Sequence, residues 1–162
     1  MLAQNVECHI VNTASAAGLV VGGAFAPYSV TKHAVVVLSE SLYLTLQQRS
    51  ALVKVSVLCP GLVRTNIINA ERNRPAALQN EPVEITPERQ AGLNFMKVAI
   101  EAGMPPLQVA DRVFDAIKNE QFYILTHPEW IEVIQMRTAN LLRMENPQNP
   151  APTIAKLIKL SK

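Results

Sequence analysis

Residues 26–42 read APYSVTKHAVVVLSESL, with a proline at the second position and then an apolar-rich run free of further proline or glycine. Pro27 suits the first turn of a helix, where its missing N–H costs nothing, and the run predicts a helix from Tyr28 to about Arg49. On such a helix Tyr28 and Lys32 stand one turn apart on one face, a phenol beside an ammonium. Ahead of it, CHIVNTAS (8–15) is a short apolar run ending in small polar residues. Behind it, VKVSVLCP (53–60) alternates, is β-branched and stops at Pro60-Gly61. Both read as buried strands. A strand, a long helix and a strand make a βαβ unit, which implies parallel pairing and a right-handed crossover.

A third strand, FYILT (122–126), makes the expected fold an open, doubly wound parallel α/β sheet. Such a sheet takes its ligand at the carboxyl ends of its strands. Those ends fall at Ser15, at Pro60-Gly61 and near His127. Between the first strand and the helix, AAGLVVGGAFA (16–26) carries three glycines, which suits a loop that approaches other groups closely.

The rest of the chain divides by its punctuation. Residues 64–86 are polar and broken by Pro75 and Pro82, an excursion with at most short helices. TPERQAGLNFMKVAIEAG (86–103) predicts a helix with Thr86 as N-cap, Pro87 at its first position and Gly103 as its stop. PPLQVADRVFDAIKN (105–119) predicts an amphipathic helix that sets Leu107, Ala110, Val113, Phe114 and Ile117 on one face. A last helix from Pro128 to about Glu145 leads through a Pro/Asn-rich linker into a short IAKLIKL tail. The region around Trp130 and the tail carry no recognisable role.

At 162 residues, 49% of them apolar and 17% charged, the chain is long enough to bury a core. A net charge of +2 with scattered basic residues argues against nucleic-acid or anionic-membrane partners. No apolar run reaches the roughly 18 residues that a membrane span needs. The AFA at 24–26 resembles a signal-peptidase site, but no Lys or Arg precedes it and Glu7 does. Cys8 and Cys59 sit in apolar, strand-like surroundings and read as buried free thiols of a reducing, cytoplasmic compartment. His9, His33 and His127 belong to no cluster at ligand spacing, so no metal site is expected. His33 reads as a surface or interface residue, and Ser39 and Ser41 as solvent-facing or packing residues.

A free phenol, with a pKa of about 10, is a poor base at neutral pH, and a cation one turn away favours the phenolate. A tuned tyrosine can relay a proton to a substrate oxygen, and a serine hydroxyl aimed at the same oxygen can hold a carbonyl in place. A hydride carrier would have to complete such a site. Alone, the pair proves little, since a Tyr four residues before a Lys arises by chance in about a quarter of chains this long. The ordered set is more specific: Ser15 at a strand end, a glycine loop, a Pro-started helix with the pair, and a Pro-Gly strand end.

IVNTASAAGL, YSVTK and VSVLCPGLVRT together resemble the catalytic half of the short-chain dehydrogenase/reductase family, strongly over residues 9–65. The resemblance implies a Rossmann-like fold and a site of Ser15, Tyr28 and Lys32, with Ser15 thirteen residues before the tyrosine. It implies Tyr28 as acid/base, Lys32 lowering its pKa and binding the nicotinamide ribose, and Ser15 orienting the substrate oxygen. The family's PGxVxT segment falls on Pro60, Gly61, Val63 and Thr65, which would help Tyr28 and Lys32 hold NAD or NADP. The implied substrate is a small alcohol or ketone. The helix of Val35, Val36, Val37, Leu38, Leu42 and Leu44 is apolar nearly all round, as where that family packs a partner subunit, so a homo-dimer or tetramer is implied. Residues 66–104 correspond to the substrate-covering region. Ile67, Ile68, Leu93, Phe95 and Met96 there hint at a lipophilic substrate, although core packing explains them equally well. Residues 105–127 would supply the last helix and strand, and 128–162 a C-terminal helix and tail.

The sequence departs from the family at its start. No Gly-rich first βα turn is present to receive a pyrophosphate, and GLVVGG (18–23) has the wrong place and spacing. The cofactor half is therefore expected to be missing, leaving the edge of strand 9–13 exposed and the isolated chain marginal. Two other readings stay open: a non-catalytic remnant that folds only with a partner chain, and a relative using the pair on a nucleotide sugar.

Overall fold

The computed structural model describes residues 1–22, 26–79 and 85–160, with the backbone alone over 158–160. The glycine loop's residues 23–25 and the proline at 82 lie outside the described residues. Two compact units emerge, Met1–Gly61 with Val109–Lys162, and Leu62–Gln108.

The first unit is built on a parallel sheet of β1 (Cys8–Thr13), β2 (Val53–Cys59) and β3 (Tyr123–Leu125), in that order. Cys8 pairs with Val53 and Thr13 with Leu58 along one side of β2, and Val57 pairs with Tyr123 on the other. β2 is central, and apart from Lys54 it is buried along its whole length, as a β-branched run covered on both faces should be. α1 (Ala26–Gln48) packs Val36 and Leu46 against Val53, Val55, Val57 and Cys59 on one face. α3 (Pro106–Lys118) sets Val109, Val113 and Ala116 against Val11, Leu58 and Ile124 on the other. Helices on both faces of a parallel sheet make this part of a doubly wound, Rossmann-like α/β fold.

Two interior polar ties hold the layers. Asn12 Nδ2 donates to Ser39 Oγ at 3.0 Å, and Ser39 Oγ donates to the Val35 carbonyl at 2.7 Å. Ser39 is a packing residue, fully buried, whereas Ser41 faces solvent. On the other face, Ser56 Oγ donates to the Gln121 carbonyl at 2.6 Å and lies 2.7 Å from His9 Nε2. With its one hydrogen spent, Ser56 accepts from His9, which places the imidazole proton on Nε2.

α4 (Ile131–Leu142) and α5 (Ala151–Leu160) follow a short 3₁₀ turn, Pro128–Trp130. They give the tail a role that the sequence did not show. Val133 and Leu157, with Trp130, Ile134 and Ile154, close a small core on Val20, five residues beyond Ser15. The helix ends share a device with no glycine. Ser50, Glu120 and Met144 take left-handed φ angles of 48°, 51° and 55°. The amides of Ser50 and Ala51 return to Gln47 and Leu46, and Glu120–Gln121 and Met144–Glu145 repeat the pattern.

One expectation needs correcting. Leu107 and Phe114, placed on the packed face of α3, are 74% and 65% exposed. Apolar residues occupy two faces of this helix, and the sheet takes the one with the smaller Val109, Val113 and Ala116.

In the second unit, 3₁₀ turns span Ile67–Asn73 and Ala76–Leu78, as the broken sequence implied, before α2 (Pro87–Glu101). Thr86 caps α2 by accepting Arg89 N–H at 3.3 Å, with Pro87 at the helix start. Ile67, Leu93 and Phe95 are exposed within this unit and Met96 is half-buried.

Candidate active site

Local helix geometry fixes the first pair. Tyr28 and Lys32 lie on the first turns of α1, with the Lys32 ammonium 5.7 Å from the centre of the Tyr28 ring. Tyr28 remains 41% exposed. Lys32 Nζ donates to the Thr13 carbonyl at 3.2 Å, so the last residue of β1 anchors it. Next to the pair, His33 Nδ1 lies 2.9 Å from the Ser29 carbonyl. Its Nε2 is buried, and no hydrogen-bond partner is found for it among the described residues.

Ser15 follows β1 in extended backbone and caps the 3₁₀ turn Ala16–Gly18, its Oγ accepting Ala17 N–H at 3.2 Å. The turn is pressed onto α1. A β-carbon on Gly18 would lie 2.7 Å from the Lys32 carbonyl oxygen and 3.0 Å from Val36 Cγ2. The glycine loop thus makes the close approach its composition implied, and makes it at Lys32.

Ser15 also touches the end of β2. Its hydroxyl faces the Pro60 carbonyl at 3.5 Å, and Ala16 N–H donates to the same oxygen at 2.8 Å. The buried Cys59 thiol is pushed up to about 11 by desolvation, partly offset by a hydrogen bond from the Ser15 amide. Gly61 N–H is 3.2 Å from both Thr126 Oγ1 and His127 Nδ1. The three strand ends named from the sequence are therefore joined by hydrogen bonds. Thr126 is the member of this group that the sequence did not single out.

Val63 and Thr65 belong to the second unit. There Val63 bridges Met104 through Arg64 N–H and the Leu62 carbonyl, using neither polar group of its own backbone. Thr65 is exposed. No group of acidic, histidine and cysteine side chains able to hold a metal is found among the described residues, and no described helix is long and apolar enough to cross a membrane. Cys8 and Cys59 are free, Cys59 buried and Cys8 half-buried.

A family model, short chain dehydrogenase, matches residues 1–76, the span that carries the serine turn, the Tyr/Lys helix and the Pro-Gly strand end. The chain belongs to the short-chain dehydrogenase family. Among curated relatives, it is 34% identical over 145 residues to the CLA biosynthesis dehydrogenase/reductase of Lactiplantibacillus plantarum, covering 88% of this chain and 50% of that one. It is 26% identical over 156 residues to a C alpha-dehydrogenase of Sphingobium sp., covering 96% and 50%. A short chain dehydrogenase/reductase from Burkholderia phymatum, solved in complex with NAD, is 41% identical and superposes with a TM-score of 0.86, covering 93% of this chain and 53% of that one. The chain spans about half the length of the relatives it matches.

Proposed function

We propose that this chain is the catalytic portion of an NAD(P)-dependent oxidoreductase acting on an alcohol or ketone, with Tyr28, Lys32 and Ser15 as its catalytic residues. The observation that carries this reading is the docking of the Ser15 turn onto α1 at Lys32, beside Tyr28. A bound nicotinamide supplies or accepts the hydride. As a carbinol C–H bond gives up its hydride, the hydroxyl proton passes to the Tyr28 oxygen, and reduction runs the same steps backward. Lys32, 5.7 Å from the ring, stabilises negative charge on that oxygen. Ser15 donates its hydrogen to the substrate oxygen, exchanging the long contact to Pro60 for a shorter one.

The donor set fits a nicotinamide ribose. Lys32 spends one of three N–H donors on Thr13, leaving two for ribose hydroxyls. The family resemblance alone assigns Val63 and Thr65, both in the second unit, to the carboxamide and phosphate. Pro60 and Gly61 would contribute shape, since their own peptide is spent inside the fold. The NAD-bound relative from Burkholderia phymatum supports this cofactor class. The exposed Ile67, Leu93 and Phe95 suit a lipophilic substrate. Absence of NAD(P)-linked turnover across a panel of secondary alcohols and ketones, in the protein that carries this chain, would overturn the reading.

A second reading, dependence on a partner polypeptide, is favoured by two surfaces. β1 has no strand on its outer edge among the described residues. On α1, Val30, Val37, Leu38 and Leu44 are exposed at helical spacing, a stripe suited to a second copy in a homo-dimer or tetramer.

A further inference from the structure

Pro60 and Gly61 share one peptide plane, and both of its polar groups are used. The Pro60 carbonyl accepts Ala16 N–H at 2.8 Å and faces Ser15 Oγ at 3.5 Å. The Gly61 N–H is shared between Thr126 Oγ1 and His127 Nδ1, each at 3.2 Å. An Nδ1 that accepts from Gly61 carries no hydrogen, so the His127 ring proton sits on Nε2. The Thr126 hydroxyl, 2.7 Å from that Nδ1, then turns its own hydrogen to it. Thr126 is fully buried, and its carbonyl accepts Arg112 Nη1 at 2.7 Å, which holds the acceptors from behind. The ring lies so close that a β-carbon on Gly61 would fall 2.8 Å from His127 Cγ and Nδ1.

We propose that His127 is a positioning residue for Ser15, acting through the Pro60–Gly61 peptide. This rests on the reading of Ser15 as the group that orients the substrate. A peptide unit is planar, so fixing the direction of its N–H fixes the direction of its carbonyl. That carbonyl is the partner of Ala16 N–H and thereby sets the seat of the turn that Ser15 caps. In this role the acceptor nitrogen of His127 is the feature that matters. Asparagine places an oxygen near the position of Nδ1, whereas alanine leaves the Gly61 N–H with Thr126 alone.

The test uses the full 162-residue chain. Nitrogen NMR of labelled histidine should find His127 with a bare Nδ1 and a protonated Nε2 at neutral pH; a ring proton on Nδ1 overturns the proposal. In His127→Ala, amide exchange at Gly61 and Ala16 should quicken about tenfold or more, as for loss of one hydrogen bond. In His127→Asn both amides should return toward the wild-type rate. Unchanged exchange at Ala16 in the alanine variant, or no rescue by asparagine, overturns it. Should His127→Ala fail to fold, Thr126→Val, which leaves His127 as the acceptor, should keep exchange at Gly61 and Ala16 within a few-fold of wild type, and a tenfold or greater rise at Ala16 overturns the proposal. Where the protein carrying this chain turns over substrate, His127→Ala should lower kcat about tenfold, leave KM for the cofactor within a few-fold, and be restored by asparagine. Absent turnover in the wild type counts against the reading of Ser15, while the exchange rates still decide the positioning.

Discussion

Gly18 lies directly against the backbone of Lys32: a β-carbon on the glycine would come within 2.7 Å of the Lys32 carbonyl oxygen and 2.9 Å of its carbon. This contact brings the serine turn to the helix that carries the tyrosine and lysine. No described glycine, Gly18 included, has a positive φ, so space and not backbone conformation demands glycine here.

Gly18→Ala should therefore be destabilising, because the atoms it meets are helix backbone and cannot swing aside. The overpacking cost is about 1–3 kcal/mol, read as a lower denaturant midpoint. Any turnover of the protein carrying this chain should fall as well, as the Ser15 turn lifts from Lys32. A midpoint equal to wild type would show that the two elements part without cost.

Tyr28→Phe should lower NAD(P)-linked turnover by about 10²-fold or more while leaving cofactor affinity within a few-fold, since only the proton-transfer group is removed. Lys32→Ala should lose both rate and affinity, because it removes the charge beside Tyr28 and the donors proposed for the ribose. Steady-state kinetics with a parallel fluorescence titration of NADH and NADPH separates the two. Retention of most turnover by Tyr28→Phe would remove it as proton donor.

The two thiols should differ in reactivity. Burial pushes Cys59 up to about 11, so only about one molecule in ten thousand carries its thiolate at pH 7. Cys8 is only half-buried on the edge strand. A thiol reagent should label Cys8 first and Cys59 only on unfolding, as mass mapping of the modified peptides would show.

His9 should make stability fall in mild acid. Burial holds its imidazole below the ordinary value, over the opposing attraction of Glu120, with Lys54 adding to the lowering. The unfolded chain then binds this proton more readily than the fold does. The contribution is complete above about pH 6.5 and is lost as pH falls from there to the folded value. His9→Gln, which keeps a donor for Ser56, should flatten that slope in denaturant midpoints measured against pH.

Much of the fold was legible because its signals are local. Alternation over 53–59, the proline at 27 and the proline-glycine at 60–61 punctuate strand, helix and strand whatever surrounds them. The spacing of Tyr28 and Lys32 becomes a neighbour relation as soon as the helix forms. The helix ends at Gln48, Lys118 and Leu142 fall within a few residues of the sequence reading, although no glycine marks the left-handed residues Ser50, Glu120 and Met144 beyond them.

By itself, then, the sequence determined the βαβ order, the strand ends and the reactive spacing, because backbone preference and helical period act over a few residues. Only the tertiary structure decided which side of α3 meets the sheet, how close Gly18 comes to Lys32, and that Thr126 and His127 hold the peptide of Pro60 and Gly61. Those partners lie up to 66 residues apart. Their meeting depends on which faces pack most closely, and no local pattern in the chain encodes that distance.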